Sequence, residues 1–463
     1  MDEANVCPLS SAGSMGRPSS TQFAIPLSEA PPHSPFRLVD LFSGAGGLSE
    51  GFRMAGFSVA AATDLDPDAC STYRLNFPEA VSVTGDLRDA DVRLQVIEAA
   101  AGADVVVGGP PCQAFSQMRN HVRLIEDPRN SLYREFVRVV RALAPPAFVM
   151  ENVLGLDQMG VRAEITHDLS IDGEYEVRSQ VVDAADFGVP QTRRRLVFLG
   201  IRRILGVEPP QMRGSGAAAA LGLVRSVRGG RTRYDVGAGD GYAEAALLRR
   251  LADPDDLCAV TAIQAIGDLR KLRSGVRVNE IPAAELCEPQ SAYQRLMRSS
   301  DGTVSNTSVP RINADTELRL RSIPPGGNHR DLGDALRERY LTGLRWGPDS
   351  GTGRLERKHY YAYRRLHPDM WSWTVNTKAD SVYHYSALRG LSVREFARLQ
   401  AFPDRFIFTT DARSGPLPGR IEGGAGHSRY RQVGNAVPPL LAKAIAEAVA
   451  ATLEHAREGE LVA

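Results

Sequence analysis

From residue 36 onward, short apolar runs alternate with amphipathic stretches. Residues 36–42 read as a buried strand, and a glycine-rich turn at 43–47 leads into a helix that ends at Met54. A second strand follows at 57–63 and a second helix at 66–76. A third strand ends near Asp86, a fourth covers 103–109, and a helix covers 131–143. Strands at 147–152 and 195–201 close the series. Strand–helix alternation predicts an α/β fold with a doubly wound, mostly parallel sheet and helices on both faces.

The alternation fails between about residues 202 and 385, where short segments are broken by Gly, Pro and Arg. Structureless loops beyond about 15 residues are uncommon in compact domains, so this stretch predicts a second, smaller domain. Helical periodicity returns at 392–400 and 438–454. Residues 1–35 are rich in Ser, Pro, Ala and Gly without apolar periodicity and read as a disordered leader. The expected organisation is therefore a leader at 1–35, the first part of a catalytic domain at 36–203 and the smaller domain at 204–388. A return to the catalytic domain at 389–455 and a tail at 456–463 complete it.

At 463 residues and 43% hydrophobic composition, the chain can bury a large core. Lys+Arg 55 balances Asp+Glu 55, so bulk charge names no partner, although a local basic face can still meet nucleic acid. The five cysteines are scattered and show neither a disulfide framework nor zinc-ligand spacing. No metal is expected. No apolar run approaches the roughly 20 residues needed to cross a bilayer, and no secretory signal precedes the fold. A cytoplasmic protein without a membrane partner is the expectation.

Two turns carry candidate chemistry. In Val105-Val106-Val107-Gly108-Gly109-Pro110-Pro111-Cys112, a strand ends in two glycines, two prolines stiffen the turn, and a single thiol follows. A thiol fixed at a strand end is a nucleophile candidate, against the common alternative of a buried, inert cysteine. In Asp40-Leu41-Phe42-Ser43-Gly44-Ala45-Gly46-Gly47, glycines between strand and helix let the backbone approach a ligand. Asp64 ends the second strand, where it can accept from ribose hydroxyls, and Asp86, followed by Leu87, can accept from an adenine amine. Either acid alone could be a turn or cap residue, but in series they favour an adenosine-type cofactor. Ser49 stands where a dinucleotide fingerprint has glycine, which weakens a dehydrogenase reading.

Together the motifs resemble the DNA cytosine-5 methyltransferases of bacterial type. Asp40 to Gly47 is similar to that family's first cofactor motif and Gly109 to Ser116 to its catalytic loop. Met150-Glu151-Asn152-Val153 is similar to its glutamate motif, and Gln191-Thr192-Arg193-Arg194-Arg195 to its Gln-x-Arg-x-Arg motif. The stretch from Leu391 to Pro403 and Gln432-Val433-Gly434-Asn435-Ala436-Val437-Pro438-Pro439 resemble the last two. The resemblance implies a Rossmann-like methyltransferase sheet dependent on S-adenosylmethionine (SAM), with a smaller target-recognition domain. It also implies S-adenosylhomocysteine as product, and a cofactor site of Phe42, Gly44, Gly46, Asp64, Leu65, Asp86, Leu87, Pro111, Asn435 and Val437. Leu65 stands where the family often has an aromatic ring against adenine.

The implied chemistry suits the residue types. Cytosine C5 is a poor nucleophile until a thiolate adds at C6. Cys112 is the candidate for that addition and Glu151 for protonation at N3. Arg193 and Arg195 share one face of a strand by period-two spacing, and their guanidiniums can meet cytosine O2, hold Glu151 or grip a phosphate. The resemblance implies that Arg195 acts near the base and Arg193 supports the site. After Ser116 the chain has Gln117-Met118-Arg119-Asn120 where the family commonly has a glycine, and Arg119, His121 and Arg123 can meet phosphates.

A base inside double-stranded DNA must be extruded before such attack, and the middle region must supply the compensating contacts. Arg202, Arg203, Arg213, Arg225, Arg228, Arg231 and Arg233 form a basic run suited to a phosphate backbone, with a disordered linker as the alternative. Trp371, Trp373, Tyr360, Tyr361 and Tyr363 read as the core of the small domain rather than as base-stacking residues. The lead expectation is a monomeric, nucleoid-associated DNA methyltransferase acting with a cognate restriction or defence system. A tRNA cytosine-5 methyltransferase and a catalytically inactive DNA-binding homologue are the alternatives.

Overall fold

The computed structural model describes residues 35–111, 132–158, 160–221, 248, 251–275, 278–298, 302–333, 335–336, 363–411 and 424–462. Expectations for Cys112, Arg119, His121, Arg123, Arg225, Arg228, Arg231, Arg233, Tyr360, Tyr361 and the leader through residue 34 lie outside the described residues.

Seven strands form one sheet: β1 (Arg37–Leu41), β2 (Ser58–Asp64), β3 (Val81–Thr84), β4 (Val105–Gly108), β5 (Ala147–Val153), β6 (Tyr175–Asp183) and β7 (Arg194–Arg202). Their order is β3-β2-β1-β4-β5-β7-β6. Neighbours from β3 to β5 are parallel, and β7 inserts antiparallel between β5 and β6. Side chains alternate between two apolar layers, as the pleat requires. Val105, Val107, Ala147 and Val149 enter one layer, and Val106, Phe148 and Met150 enter the other.

Helices α1 (Gly47–Met54) and α2 (Pro67–Asn76) cover the first layer. Helices α3 (Ala90–Ala99), α4 (Leu132–Leu143) and α5 (Arg162–Leu169) cover the second. Near the C-terminus, α6 (Val393–Leu399), α7 (Gly424–Asn435) and α8 (Pro439–Val462) return to the first layer. Helix α8 packs closely on α1 because Gly51 has no side chain. A Cβ there would lie 2.3 Å from the Ala442 Cβ and 2.4 Å from the Pro439 carbonyl oxygen.

Three elements had no clear sequence signal, one of them α3, which buries only Val96. β6 is an edge strand, mostly half-buried, so its residues form no apolar run. Helix α5 buries only Ile165 and Leu169 and has little amphipathic pattern. Helix α8 continues past the expected end at 454 to Val462. The stretch His427–Gly459 is long and apolar enough to cross a bilayer by composition, which the sequence expectation overlooked, but 56% of its apolar window is buried in the protein. Its apolarity serves the packing on α1 and the sheet.

Between β7 and α6 the described elements are short, including helices at Ala262–Ile266, Ala292–Met297 and Ala314–Ser322. Ala262, Ile266, Tyr293 and Met297 share the core of the first layer. Trp371 is buried among Ala185, Ala217, Leu221, Leu248 and Met370. Tyr363 stacks on Tyr383 at 5.8 Å, and the Arg364 guanidinium lies over the Trp373 ring at 5.4 Å.

Candidate active site

In an open α/β sheet, ligands gather where the strand order reverses, beyond the carboxyl ends of the strands. Here β1 pairs with β2 on one side and β4 on the other, so that point lies between β1 and β4. The glycine-rich turn leaves β1 and the Gly-Pro-Pro turn leaves β4. Topology thus brings together two motifs about 65 residues apart in sequence.

The first turn is set by positive φ at Phe42 (57°), Gly44 (53°) and Gly46 (103°). Gly46 also packs under α2, where a Cβ would sit 2.6 Å from the Phe77 ring. Asp64, at the end of β2, accepts from the Gly44 N–H at 2.8 Å through one oxygen and from the Asp66 N–H at 2.8 Å through the other. It braces the turn and the entry to α2 together. Burial pushes the Asp64 carboxyl up. A Cβ on Gly44 would meet nothing within 4 Å, and the Leu65 side chain is 63% exposed at the same strand end. Open space above a braced glycine turn, flanked by an acid and an apolar side chain, fits an adenosyl group.

Asp40, near the end of β1, heads the glycine-rich motif, but the sequence assigns it no role of its own. It is fully buried and accepts from the Ser49 N–H at 3.2 Å and the Ser49 hydroxyl at 2.7 Å. Ser49 Oγ in turn lies 2.6 Å from the Tyr73 hydroxyl. The other Asp40 oxygen has no partner among the described residues. Burial raises its pKa to about 7, against the Ser49 hydrogen bonds and with the Asp64 charge adding to the rise. Such a group stabilises the fold below its unfolded-state pKa of about 4, and that contribution is lost as pH rises toward 7. Asp40→Asn is therefore expected to flatten the fall in ligand-free stability between about pH 4 and 7, read by denaturant titration at several pH values. An unchanged slope would contradict this assignment.

Asp86 follows β3 by two residues. Its carboxylate is chelated by the Arg88 guanidinium, with a shortest distance of 2.5 Å, and these bonds hold its pKa below the usual carboxylate range. An adenine amine would share Asp86 with Arg88. Leu87 beside it is buried.

At the end of β4, Pro110 is buried and Pro111 exposed. The Asn152 side-chain N–H donates to the Pro110 carbonyl at 3.0 Å, fixing the turn to β5. Glu151 lies against the same turn, since a Cβ on Gly109 would be 3.2 Å from Glu151 Oε2. The register of β5 and β7 places Val153 opposite Arg195 and Glu151 opposite Val197. Across that pair, the Arg195 Nε reaches Glu151 Oε1 at 2.6 Å, with both side chains about nine-tenths buried.

Arg193 takes a different path. β7 begins at Arg194, so the alternation that pairs Arg193 with Arg195 extends one residue before the strand. Arg193 is buried, and its guanidinium donates to the carbonyls of Val375 (3.3 Å) and Gly434 (2.9 Å). Burial, and then Arg195, push its pKa well down, while Glu151 opposes. Gln191 is also committed. Its amide donates to Leu399 O at 2.7 Å and to the Gln400 side chain, and its oxygen accepts from Val375 N–H at 3.1 Å. Neither Gln191 nor Gln400 was foreseen as a junction, since partners two hundred residues away leave no local signal.

Val437 is buried and Asn435 exposed at the end of α7. This segment is laced to α2, which starts beside Asp64 and Leu65. Arg431 pairs with Asp66 at 2.7 Å, the Ser428 hydroxyl donates to Asp68 at 2.6 Å, and the Thr72 hydroxyl donates to the Gln432 side chain at 2.6 Å. Phe42, Gly44, Asp64 and Leu65 thus cluster at the ends of β1 and β2, and Pro111 and Glu151 at the ends of β4 and β5. Asp86 and Leu87 follow β3, and Asn435 and Val437 lie on the segment tied to α2. Among the described residues no group of His, Cys, Asp and Glu has the arrangement of a metal centre.

The profile of the C-5 cytosine-specific DNA methylases matches residues 36–451. The chain is 34% identical to the type II methyltransferase M1.HphI of Haemophilus parahaemolyticus, over 89% of this chain and 86% of that protein. It is 32% identical to the type II methyltransferase M.AgeI of Thalassovita gelatinovora, over 89% and 99% respectively. It is 30% identical to the DNA (cytosine-5-)-methyltransferase M.ApeKI of Aeropyrum pernix, over 91% and 99%. A crystal structure described as an E. coli prophage DNA modification methyltransferase shares the fold, with a TM-score of 0.61 and 22% identity over 90% of this chain and 99% of that one. The chain belongs to the C-5 cytosine-specific DNA methylase family, which transfers a methyl group from SAM to C5 of cytosine in DNA.

Proposed function

We propose that this chain methylates a cytosine extruded from a specific double-stranded DNA sequence through a covalent bond between Cys112 and C6. The observation that carries this is the Glu151–Arg195 pair held against the Gly109–Pro110 turn, immediately before Cys112 and beside the glycine-rich turn of β1. The Cys112 thiolate adds to C6, and the displaced electron pair moves into the ring toward N3, where Glu151 supplies a proton. Arg195 orients Glu151 and donates to cytosine O2. When bound, SAM supplies the electrophilic methyl group that C5 takes. Loss of the C5 proton to a base then expels the Cys112 thiolate, and return of the N3 proton to Glu151 leaves neutral, aromatic 5-methylcytosine. Phe42, Gly44, Gly46 and Pro111 line the approach to the cofactor. Asp64 meets the ribose, Leu65 and Leu87 flank the adenine, Asp86 accepts from its amine, and Asn435 and Val437 close the site.

The region at 204–388 is assigned to target recognition, with Ala262, Ile266, Tyr293 and Met297 anchoring it in the shared core. The type II relatives support a place in a restriction–modification system, and the proposal includes a monomer that acts in the cytoplasm. Expression in a host without cytosine methylation, followed by genome-wide mapping of modified cytosines, tests the substrate. One modified sequence context is expected; unmodified DNA with methylated tRNA would overturn the assignment. Glu151→Gln keeps the shape of the side chain but not its proton donation. It is expected to lower single-turnover methylation about a hundredfold or more, with S-adenosylhomocysteine affinity little changed.

A further inference from the structure

We propose that Arg193 is a positioning residue that couples the C-terminal cofactor segment, 434–437, to the Glu151–Arg195 pair. The proposal rests on the assignment above of Asn435 and Val437 to the cofactor and of Glu151 and Arg195 to the base. Three features of the site lead to it.

First, Arg193 is 3% exposed, and its donors serve chain carbonyls rather than a carboxylate. Its Nε has no partner among the described residues. A buried guanidinium without a direct counter-ion is costly, and an apolar side chain would fill the space more cheaply. What the guanidinium provides is reach in two directions at once. It holds Val375 and Gly434, which lie 182 and 241 residues further along the chain.

Second, those two anchors are locked to each other. A Cβ on Gly434 would lie 2.2 Å from the Asn376 carbonyl oxygen, so the backbones at 434 and 376 are in direct contact. The segment before Asn435 cannot shift without moving 375–377, and both carbonyls accepting from Arg193 would move together. The Gln400 side chain adds a tie to the Ala436 carbonyl at 2.5 Å, and Gln400 is itself bonded to Gln191.

Third, the other end of Arg193 leads to the base site. Its backbone N–H donates to Asp183 Oδ1 at 2.9 Å, and two residues later Arg195 makes the ion pair with Glu151. A ligand that presses on 434–437 therefore bears on the start of β7 directly through the Arg193 side chain, beside the longer tie through Gln400 and Gln191. Cofactor in place and Arg195 in place become linked conditions, which is a coupling free energy between two sites.

The test uses the full-length protein, S-adenosylhomocysteine and a duplex bearing the mapped target. Cofactor-product affinity is measured with and without the duplex, and the ratio reports the coupling. The ratio in the parent is expected to be about fivefold or more, falling to near one in Arg193→Gln and to an intermediate value in Arg193→Lys. A parental ratio near one, or a parental ratio retained by Arg193→Gln, would overturn the proposal. If denaturant titration shows Arg193→Gln unfolded, Arg193→Lys decides, because it keeps the charge but cannot span both carbonyls. Loss of stability alone would not abolish the ratio in a variant that still binds both ligands. Asn435→Ala checks the underlying assignment separately. Unchanged S-adenosylhomocysteine affinity there removes that assignment and the proposal with it. Weakened affinity there, with a parental ratio in Arg193→Gln, overturns the proposal alone.

Discussion

Cys112→Ala is expected to abolish methyl transfer, with a loss on the order of 10⁵-fold or more, while S-adenosylhomocysteine binds with nearly parental affinity. The two halves of this expectation have separate physical origins. Without C6 addition, C5 of cytosine lacks the electron density to take a methyl group, and among the described residues no other side chain at the site supplies a comparable nucleophile at neutral pH. The cofactor assignment, in contrast, places its contacts on the turn after β1, the ends of β2 and β3, Pro111 and 435–437, and none of them is the Cys112 side chain. Single-turnover methylation and calorimetric binding measured on one preparation check both. Residual methylation within a hundredfold of the parent would exclude Cys112 as the nucleophile.

The second large effect concerns stability. Helix α6 opens with a capping box in which Ser392 and Glu395 satisfy each other's backbone N–H groups, and Glu395 also takes both arms of Arg389. One turn on, the buried Arg398 grips Asp404 with two bonds of 2.7 Å and reaches Asp268 at 3.2 Å and the Ala265 carbonyl at 3.1 Å. Asp268 is also bonded to Arg298. Burial works against the Arg398 charge, but Asp404 and Asp268 hold its pKa above the ordinary arginine value. Burial likewise pushes the Asp404 carboxyl up, and the arginines outweigh it, leaving that pKa below its usual range. Because the folded pKa of Asp404 is depressed, its contribution is present above the unfolded value near 4 and lost only as pH falls through the folded one.

Arg398→Met removes one partner and leaves two buried carboxylates short of compensation. The expected cost is about 3–5 kcal/mol at neutral pH, measured by denaturant titration. A loss under about 1 kcal/mol would show that the cluster relaxes or hydrates without its central cation.

The same cluster shows why the sequence was only partly legible. β1, α1 and β2 were readable because each places apolar residues at its own period, and the capping box around Ser392 and Glu395 is local. The ends of β1, β2 and β4 were readable too, since glycine, proline and acid at a strand end have few other uses. β6 was not, because an edge strand is only partly buried and carries no apolar run. Arg398 stands near its partner Asp404, but Asp268 lies 130 residues away. Gln191 and Arg193 likewise commit to partners around two hundred residues distant. Asp40 was visible as part of a motif, yet its burial depends on Ser49 and Tyr73 arriving from α1 and α2. Chemistry written in neighbouring residues can be read directly. Chemistry made by chain crossings needs the fold.

The measurement that bears most directly on the mechanism is the identity of the residue that bonds to the base. The purified protein is incubated with SAM and a duplex carrying 5-fluorocytosine at the mapped target, where loss of a proton from C5 is blocked, and the adduct is located by peptide mass spectrometry. The nucleotide is predicted on the peptide containing Cys112, with no adduct in Cys112→Ala. An adduct on any other residue, or methylation of the ordinary target with no trappable adduct, would contradict the account.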